Sequence, residues 1–298
     1  MLILGREEPE VAGIDSDIAE AAAAFVSEVE VMQHILADAT DTMTRGNPHY
    51  YRAHDHAGGT HRHSGVMHRH SASVRQTPLG AGMKVGILGG TGPQGRGLAT
   101  RLAAAGHDVL IGSRNTKRLE VIAAELGQAG GSGRIVGVSN SDAAGAELVI
   151  VSVPYHGHAD LLSSLATELA GKIVVDCVNP LGFDQQGPFP LRVAAGSAAQ
   201  EAQHLLPDST VIAAFHHVSA VLLNDPTVDH FADDVLVLGE DRDAIAVVCE
   251  LATAIPGARG IYSGRLRNAG QVETLTANLI AINRRYKTHA GLAITGVS

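Results

Sequence analysis

From Met83 onward, short apolar runs alternate with stretches in which apolar residues recur at steps of three and four. Lys84 to Leu88, His107 to Gly112, Arg134 to Val138, Glu147 to Val153 and Lys172 to Cys177 are apolar runs closed by glycine, proline or polar residues. Runs of this kind predict strands buried on both faces. Between them, Leu98 and Leu102 stand one helical turn apart. Leu119, Ile122, Ala123 and Leu126 share a face over 116–128, and Leu161, Leu162, Leu165 and Leu169 form a third helical set. Residues 179–191 read as a loop. A helix follows, then strands at 210–215 and 234–238, a helix at 241–254, and a long last helix over about 265–286. The apolar residues of that helix, Leu275, Leu279, Ile280 and Ile282, exceed one face. Part of it is expected against a second subunit, the alternative being that it packs only on its own sheet. The whole alternation predicts an α/β fold: a doubly wound, mainly parallel sheet with a small C-terminal α/β part.

The rhythm differs before Met83. Ile18, Ala22, Phe25, Val29, Met32 and Leu36 fall on one face of an acidic helix over 15–43, with Asp15 or Ser16 as its cap. Residues from about 45 to 82 are rich in His, Gly, Ser and Arg without periodicity, as in a flexible linker. The expected organisation is an acidic helix plus a mostly disordered histidine-rich extension (1–82), then one α/β domain with a small C-terminal part (83–298). Seven histidines lie between His49 and His70, several as His-x-His. Alternating imidazoles can grip zinc, nickel or copper, but no cysteine or carboxylate cluster joins them. They are read as a linker with adventitious affinity, and no metal site is assigned. Translation starting at Met83 is the other reading of this region.

The first apolar run leads into Gly90, Thr91, Gly92, Pro93, Gln94 and Gly95. A glycine-rich turn between a strand and a helix lets backbone approach a pyrophosphate, with helix N–H groups aimed at it. The second strand ends at Ser113 and Arg114, with Lys117 and Arg118 close behind. An acidic residue there would accept from a free ribose 2′-hydroxyl. A hydroxyl and cations suit a 2′-phosphate, so the expected cofactor is NADP rather than NAD on a Rossmann-type domain.

Composition narrows the partners. The chain has 298 residues and a net charge of -9, with no basic stripe, which argues against nucleic acid. No apolar run is long enough to span a membrane and the N-terminus turns acidic at once, so neither an anchor nor a signal peptide is read. Cys177 and Cys249 are its two cysteines, far apart, as in a reducing compartment. A cytoplasmic protein is expected.

In such sheets the ligand lies beyond the carboxyl ends of the strands. Those ends carry Thr91 to Gln94, Ser113-Arg114, Val153-Pro154-Tyr155-His156, Asn179-Pro180-Leu181 and Phe215-His216-His217-Val218-Ser219. His216 and His217 read as able to bond or stack on a substrate, or else as packing residues. The chain has four lysines, none between the fifth strand and the end of the last helix, and it lacks a Tyr-x-x-x-Lys pair. A ketone reduction would miss its usual proton donor. Hydride transfer between two planar rings needs none, so no catalytic residue is assigned.

Gly86 to Gly95, Gly112 to Arg114, Asp176 to Gly182 and Ala214 to Ala220 together resemble the NADPH-dependent reductases of coenzyme F-420, an 8-hydroxy-5-deazaflavin. The resemblance covers about 83–295. It implies a homodimer that passes hydride between nicotinamide C4 and deazaflavin C5 in either direction, with small-molecule redox cofactors as its partners. It implies that the glycine turn, Thr91 to Gln94 above all, holds the pyrophosphate, and that Ser113, Arg114 and Arg118 hold the 2′-phosphate. Val153, Pro154, Asn179 and Ala220 would line the nicotinamide. His216 and Val218, with His217 and Ser219 in the same stretch, would face the deazaflavin. An NADPH-dependent flavin or ferric reductase and a non-catalytic NADPH-binding module are the competing readings.

Overall fold

The computed structural model describes residues 82–114, 119–127 and 132–297. The helix expected over 15–43, the histidine-rich stretch, Lys117 and Arg118 lie outside the described residues. In chain order the elements begin with β1 (Lys84–Leu88), α1 (Pro93–Ala104), β2 (Asp108–Ser113), α2 (Leu119–Gly127), β3 (Ile135–Ser139), α3 (Asn140–Ala144) and β4 (Leu148–Val151). There follow α4 (His158–Ser164), α5 (Ala166–Leu169), β5 (Ile173–Asp176), β6 (Leu181–Asp184), β7 (Gly187–Pro190), α6 (Ala198–Leu205) and β8 (Thr210–Ala213). The last are α7 (Ala220–Asn224), β9 (Asp234–Val237), α8 (Arg242–Thr253), β10 (Arg259–Tyr262) and α9 (Ala269–Tyr286).

Six strands form one sheet in the order β3-β2-β1-β4-β5-β8, every pair parallel. Successive residues of a strand face opposite sides, and the cores sort accordingly. Val85, Ile87, Ile111, Ile150 and Ile212 meet Leu98 and Leu102 of α1 and Val248 of α8. Leu88, Val149, Val151 and Val174 meet Leu162 of α4, Ala202 of α6 and Val272 of α9 on the other face. Burial on both faces is why these strands read as continuous apolar runs. The chain moves outward from β1 to β3 and then crosses to β4 on the far side of β1. That reversal opens a crevice above the carboxyl ends of β1 and β4.

The C-terminal part is a β9–α8–β10 unit with its two strands parallel. It joins the main sheet through one antiparallel bridge, Ala213 to Leu238. The expected loop over 179–191 is instead the antiparallel hairpin β6–β7, which packs on α9. Asp184 Oδ1 accepts from the N–H groups of Gln186 and Gly187 and so builds its turn. Pro188 and Pro190 sit in β7, a two-stranded edge where a missing N–H is tolerated. The third helical set is split at Leu165 into α4 and α5, and α3, α7 and β10 are additions that no strong rhythm announces.

Arg101 fastens α7 and the segment after it to α1. Its guanidinium donates to the carbonyls of Leu222, Leu223, Asp225 and Val228 at 2.7–3.0 Å and lies 4.9 Å from the centre of the Phe231 ring. These bonds satisfy the orphan carbonyls at the end of a very short helix. Arg101→Ala leaves them without the cation and is expected to lower stability by about 2–3 kcal/mol, read as a lower denaturant midpoint at unchanged slope. A change below about 0.5 kcal/mol would show that the segment holds itself.

Candidate active site

β1 ends at Leu88, and the chain must reverse within a few residues to start α1. Gly89 does this at φ +76°, and a Cβ there would stand 2.4 Å from the carbonyl oxygen of Ser152. A Cβ on Gly95 would fall 2.7 Å from the Cα of Gly90, so the first turn of α1 rests on bare backbone. Gly92 is the N-cap, with extended backbone and no capping side chain, and Pro93 opens the helix. Proline brings no N–H, so the first open backbone donors of α1 are those of Gln94 and Gly95, at the positive end of the helix.

A cleft of about 770 Å³ lies over this turn. Of the residues expected at the site, Thr91, Gly92, Ser113, Arg114, Val153 and Pro154 line it. Gly90 and Gly95 sit directly beneath, buried in the turn. The cleft also takes in Ser139 and Asn140, and His156, Asp160, Leu161 and Ser164 from the segment after β4. Of these, His156 stood among the strand-end residues read from the sequence, and the others did not. Asn140 follows the carboxyl end of β3, the one early strand end left out of the strand-end reading. Its Oδ1 is buried with no hydrogen-bond partner among the described residues.

Of the other expected residues that are described, Pro93 and Gln94 open α1, Asn179 follows β5, and His216 to Ala220 follow β8 beside the first turn of α1. Phe215 is fully buried and left-handed, with φ +63°, a conformation uncommon for a bulky residue. Its carbonyl accepts from Gln94 Nε2 at 3.3 Å. The next carbonyl, of His216, accepts from Asn179 Nδ2 at 2.8 Å and from the Thr276 hydroxyl of α9. Asn224 Nδ2 donates to the Pro93 carbonyl at 2.8 Å, so α7, which starts at Ala220, is pinned to the same turn. Ser219 caps α7, and Val218 packs into the core. These residues are outside the lining of the cleft itself. Asn179 Oδ1, like Asn140 Oδ1, is buried without a partner among the described residues.

The two histidines are turned inward. His217 Nε2 accepts from the Leu236 N–H of β9, and neither ring nitrogen of His216 has a partner among the described residues. Burial pushes both down to about 4, with Asp176 pulling His216 slightly upward and His216 pushing His217 further down. Burial also pushes the Cys177 thiol up to about 12, and the thiol donates to the Val151 carbonyl. Among the described residues, no group of three or more His, Cys, Asp and Glu side chains is placed to hold a metal.

A reversal point flanked by a glycine turn and a Ser-Arg strand end defines the class, a dinucleotide-dependent oxidoreductase of the doubly wound kind. Residues 84–180 match the family described as NADP oxidoreductase, coenzyme F420-dependent. The chain is 40% identical over 225 residues to the F420-dependent NADP reductase of Methanocaldococcus jannaschii, an alignment spanning 72% of this chain and 99% of that one. A crystal structure of a putative F420-dependent NADP reductase from Arthrobacter sp. FB24 superposes with a TM-score of 0.60 at 29% identity, covering 71% of this chain and all of that one. The rat metalloreductase STEAP3 is 34% identical over 197 residues, 66% of this chain but 37% of that protein. This chain belongs to the F420-dependent NADP reductase family.

The buried neutral histidines carry a pH signature. Below an ordinary histidine pKa of 6.5 the unfolded chain takes up protons that the folded chain refuses until about 4. Their contribution is therefore complete above pH 6.5 and is lost as pH falls toward 4, on the order of 3 kcal/mol for each group. Glu273 acts oppositely: burial raises it to about 7, so its share is lost as pH rises. His216→Asn is expected to flatten the fall in denaturant midpoint between pH 6.5 and 4. An unchanged slope would show that His216 is charged or solvated in the fold.

Proposed function

We propose that the cleft seats NADP(H) and that the loop after β8 presents the deazaflavin F420 to it, for reversible hydride transfer between the two. Family membership supports the reaction. The joining of the glycine turn and the Ser113–Arg114 strand end in one cleft is the observation that carries the site. When both ligands are bound, a hydride passes between nicotinamide C4 and deazaflavin C5, and the remaining proton of the two-electron step is exchanged with water. Gln94 and Gly95 offer backbone N–H groups to the pyrophosphate, with Thr91, Gly92 and Pro93 shaping the approach. Ser113 and Arg114 receive the 2′-phosphate, with Arg118 assigned beside them from the sequence. Val153, Pro154, Asn179 and Ala220 seat the nicotinamide, and the free Oδ1 atoms of Asn140 and Asn179 suit ligand amino and carboxamide groups. His216 to Ser219 shape the deazaflavin side through the backbone that His217 and Val218 hold. The chain supplies orientation and a dry wall rather than an acid or base.

The assay is loss of the oxidised deazaflavin's visible absorbance with NADPH. Turnover with F420 well above that with FMN or ferric chelates is expected; the reverse order would place the protein with the metalloreductases. Arg114→Ala should weaken NADPH roughly ten- to a hundred-fold, from about 1.5–3 kcal/mol of charge-assisted contact, and leave NADH nearly unchanged. Equal losses for both would remove Arg114 from the 2′-phosphate.

We infer a cytoplasmic homodimer built on residues 83–298. Both cysteines are unpaired, as in a reducing compartment. No helix among the described residues is long and apolar enough to cross a membrane. Ile282 and Tyr286, one turn apart on α9, are exposed, as are Phe183 and Phe189 on the hairpin that packs against it. Apolar exposure of this kind suits a second copy. A protein beginning at Met83 is expected to keep its turnover and to sediment as a dimer. Loss of turnover would give residues 1–82 a part in the site, and a monomer would leave that face to another partner.

A further inference from the structure

Two strand-end segments follow the adjacent strands β4 and β5, and the first of them lines the cleft. One follows β4 and carries Val153 and Pro154; the other follows β5 and carries Val178 and Asn179. The backbone ladder between them stops at Val151, whose carbonyl accepts from Cys177 N–H. Beyond that point a side-chain contact continues the tie. His158, the first residue of α4, places Nε2 at 2.6 Å from Oδ2 of Asp176, the last residue of β5, and both side chains are fully buried. The other carboxylate oxygen of Asp176 accepts from the Val178 N–H at 3.0 Å. The His158 Nδ1 lies 3.4 Å from Glu201 Oε2 of α6. Glu273 of α9 in turn receives the Ala198 and Ala199 N–H groups at the start of α6.

Burial opposes a charge on His158, but the hydrogen bonds and charges of Asp176 and Glu201 outweigh it and hold its pKa above the ordinary value. Each ring nitrogen thus faces a carboxylate, Asp176 at Nε2 and Glu201 at Nδ1. A buried ion pair is a weak device for stability, since apolar residues of similar volume often do as well. Its strength is in direction: a short charge-assisted bond fixes two atoms far more closely than packing does.

We propose that the His158–Asp176 pair is a positioning device for hydride transfer: it sets the spacing between the Val153–Pro154 and Val178–Asn179 segments, and with it the seat of the nicotinamide ring. This rests on the reading of the cleft as the NADP(H) site. The phosphate end of that site is built from β1, α1 and β2, so the pair governs ring orientation and leaves affinity largely alone. His158→Ala frees both segments, and a misplaced ring costs about 10²-fold in rate. Asp176→Asn preserves the tie. Its oxygen still accepts from Val178, while its amide donates to Nε2 of a neutral His158 whose Nδ1–H turns to Glu201.

The first test needs no acceptor: fluorescence anisotropy of the nicotinamide in saturated NADPH complexes. In His158→Ala the anisotropy of the bound nicotinamide should fall while the Kd for NADPH changes less than about threefold, whereas Asp176→Asn, with His158 in place, should keep the wild-type anisotropy. With F420, kcat of His158→Ala should drop about 10²-fold at nearly unchanged KM for NADPH, while Asp176→Asn should keep most of the wild-type kcat. If His158→Ala does not fold, the double variant His158→Leu/Asp176→Asn, which breaks the tie without leaving a buried carboxylate unpaired, should show both effects. A folded His158 variant with wild-type anisotropy and kcat overturns the proposal. So does an Asp176→Asn protein as impaired as His158→Ala. Wild-type protein that binds NADPH but does not reduce F420 would instead overturn the function while the anisotropy still judges the pair.

Discussion

The turn from β1 into α1 has no room for a side chain, and the cleft is organised around that fact. Gly89 must be left-handed beneath the Ser152 carbonyl, and Gly95 must touch Gly90. Only then does the start of α1 come down against the strand ends, with Gly90 N–H held on the Gly112 carbonyl of β2. The close approach puts three things in one place: the positive end of a helix, the Ser113–Arg114 strand end and the β4 segment. A Cβ at either glycine would push α1 away from the Ser113–Arg114 strand end and the β4 segment.

The far side of that turn is buttressed by residues distant in sequence. Gln94 reaches the Phe215 carbonyl, Asn224 reaches that of Pro93, and Arg101 gathers four carbonyls from residues 222–228. The strained backbone at Phe215 turns the next carbonyl toward Asn179 and Thr276, so β5, β8 and α9 meet at one oxygen. The loop after β8 thus stands on the same helix that opens at the glycine turn. On the proposed function, this fixes the deazaflavin side relative to the phosphate side.

Much of this was legible because a parallel sheet buries both faces of its strands, so each reads as a short apolar run, and because the glycine turn is local. What escaped depends on contacts across the chain. Residues 179–191 show no strand rhythm and carry prolines at 188 and 190, yet a two-stranded edge hairpin accommodates them. His216 and His217 looked like a polar strand end, but the left-handed step at Phe215 and the neighbouring β9 carry both rings inward, which no local pattern signals. Asn140 was within reach of the strand-end rule, had β3 been counted. His158 and Asp176 are eighteen positions apart, one opening a helix and one closing a strand, and only the fold makes them a pair.

The central claim is direct hydride transfer in a site that supplies orientation and no proton donor. The decisive measurement uses NADPH stereospecifically deuterated at C4, with F420 as acceptor in ordinary water. The account predicts that one of the two labelled isomers delivers its deuterium to the deazaflavin C5 without washout. Solvent hydrogen at C5, or equal delivery from both isomers, would contradict it.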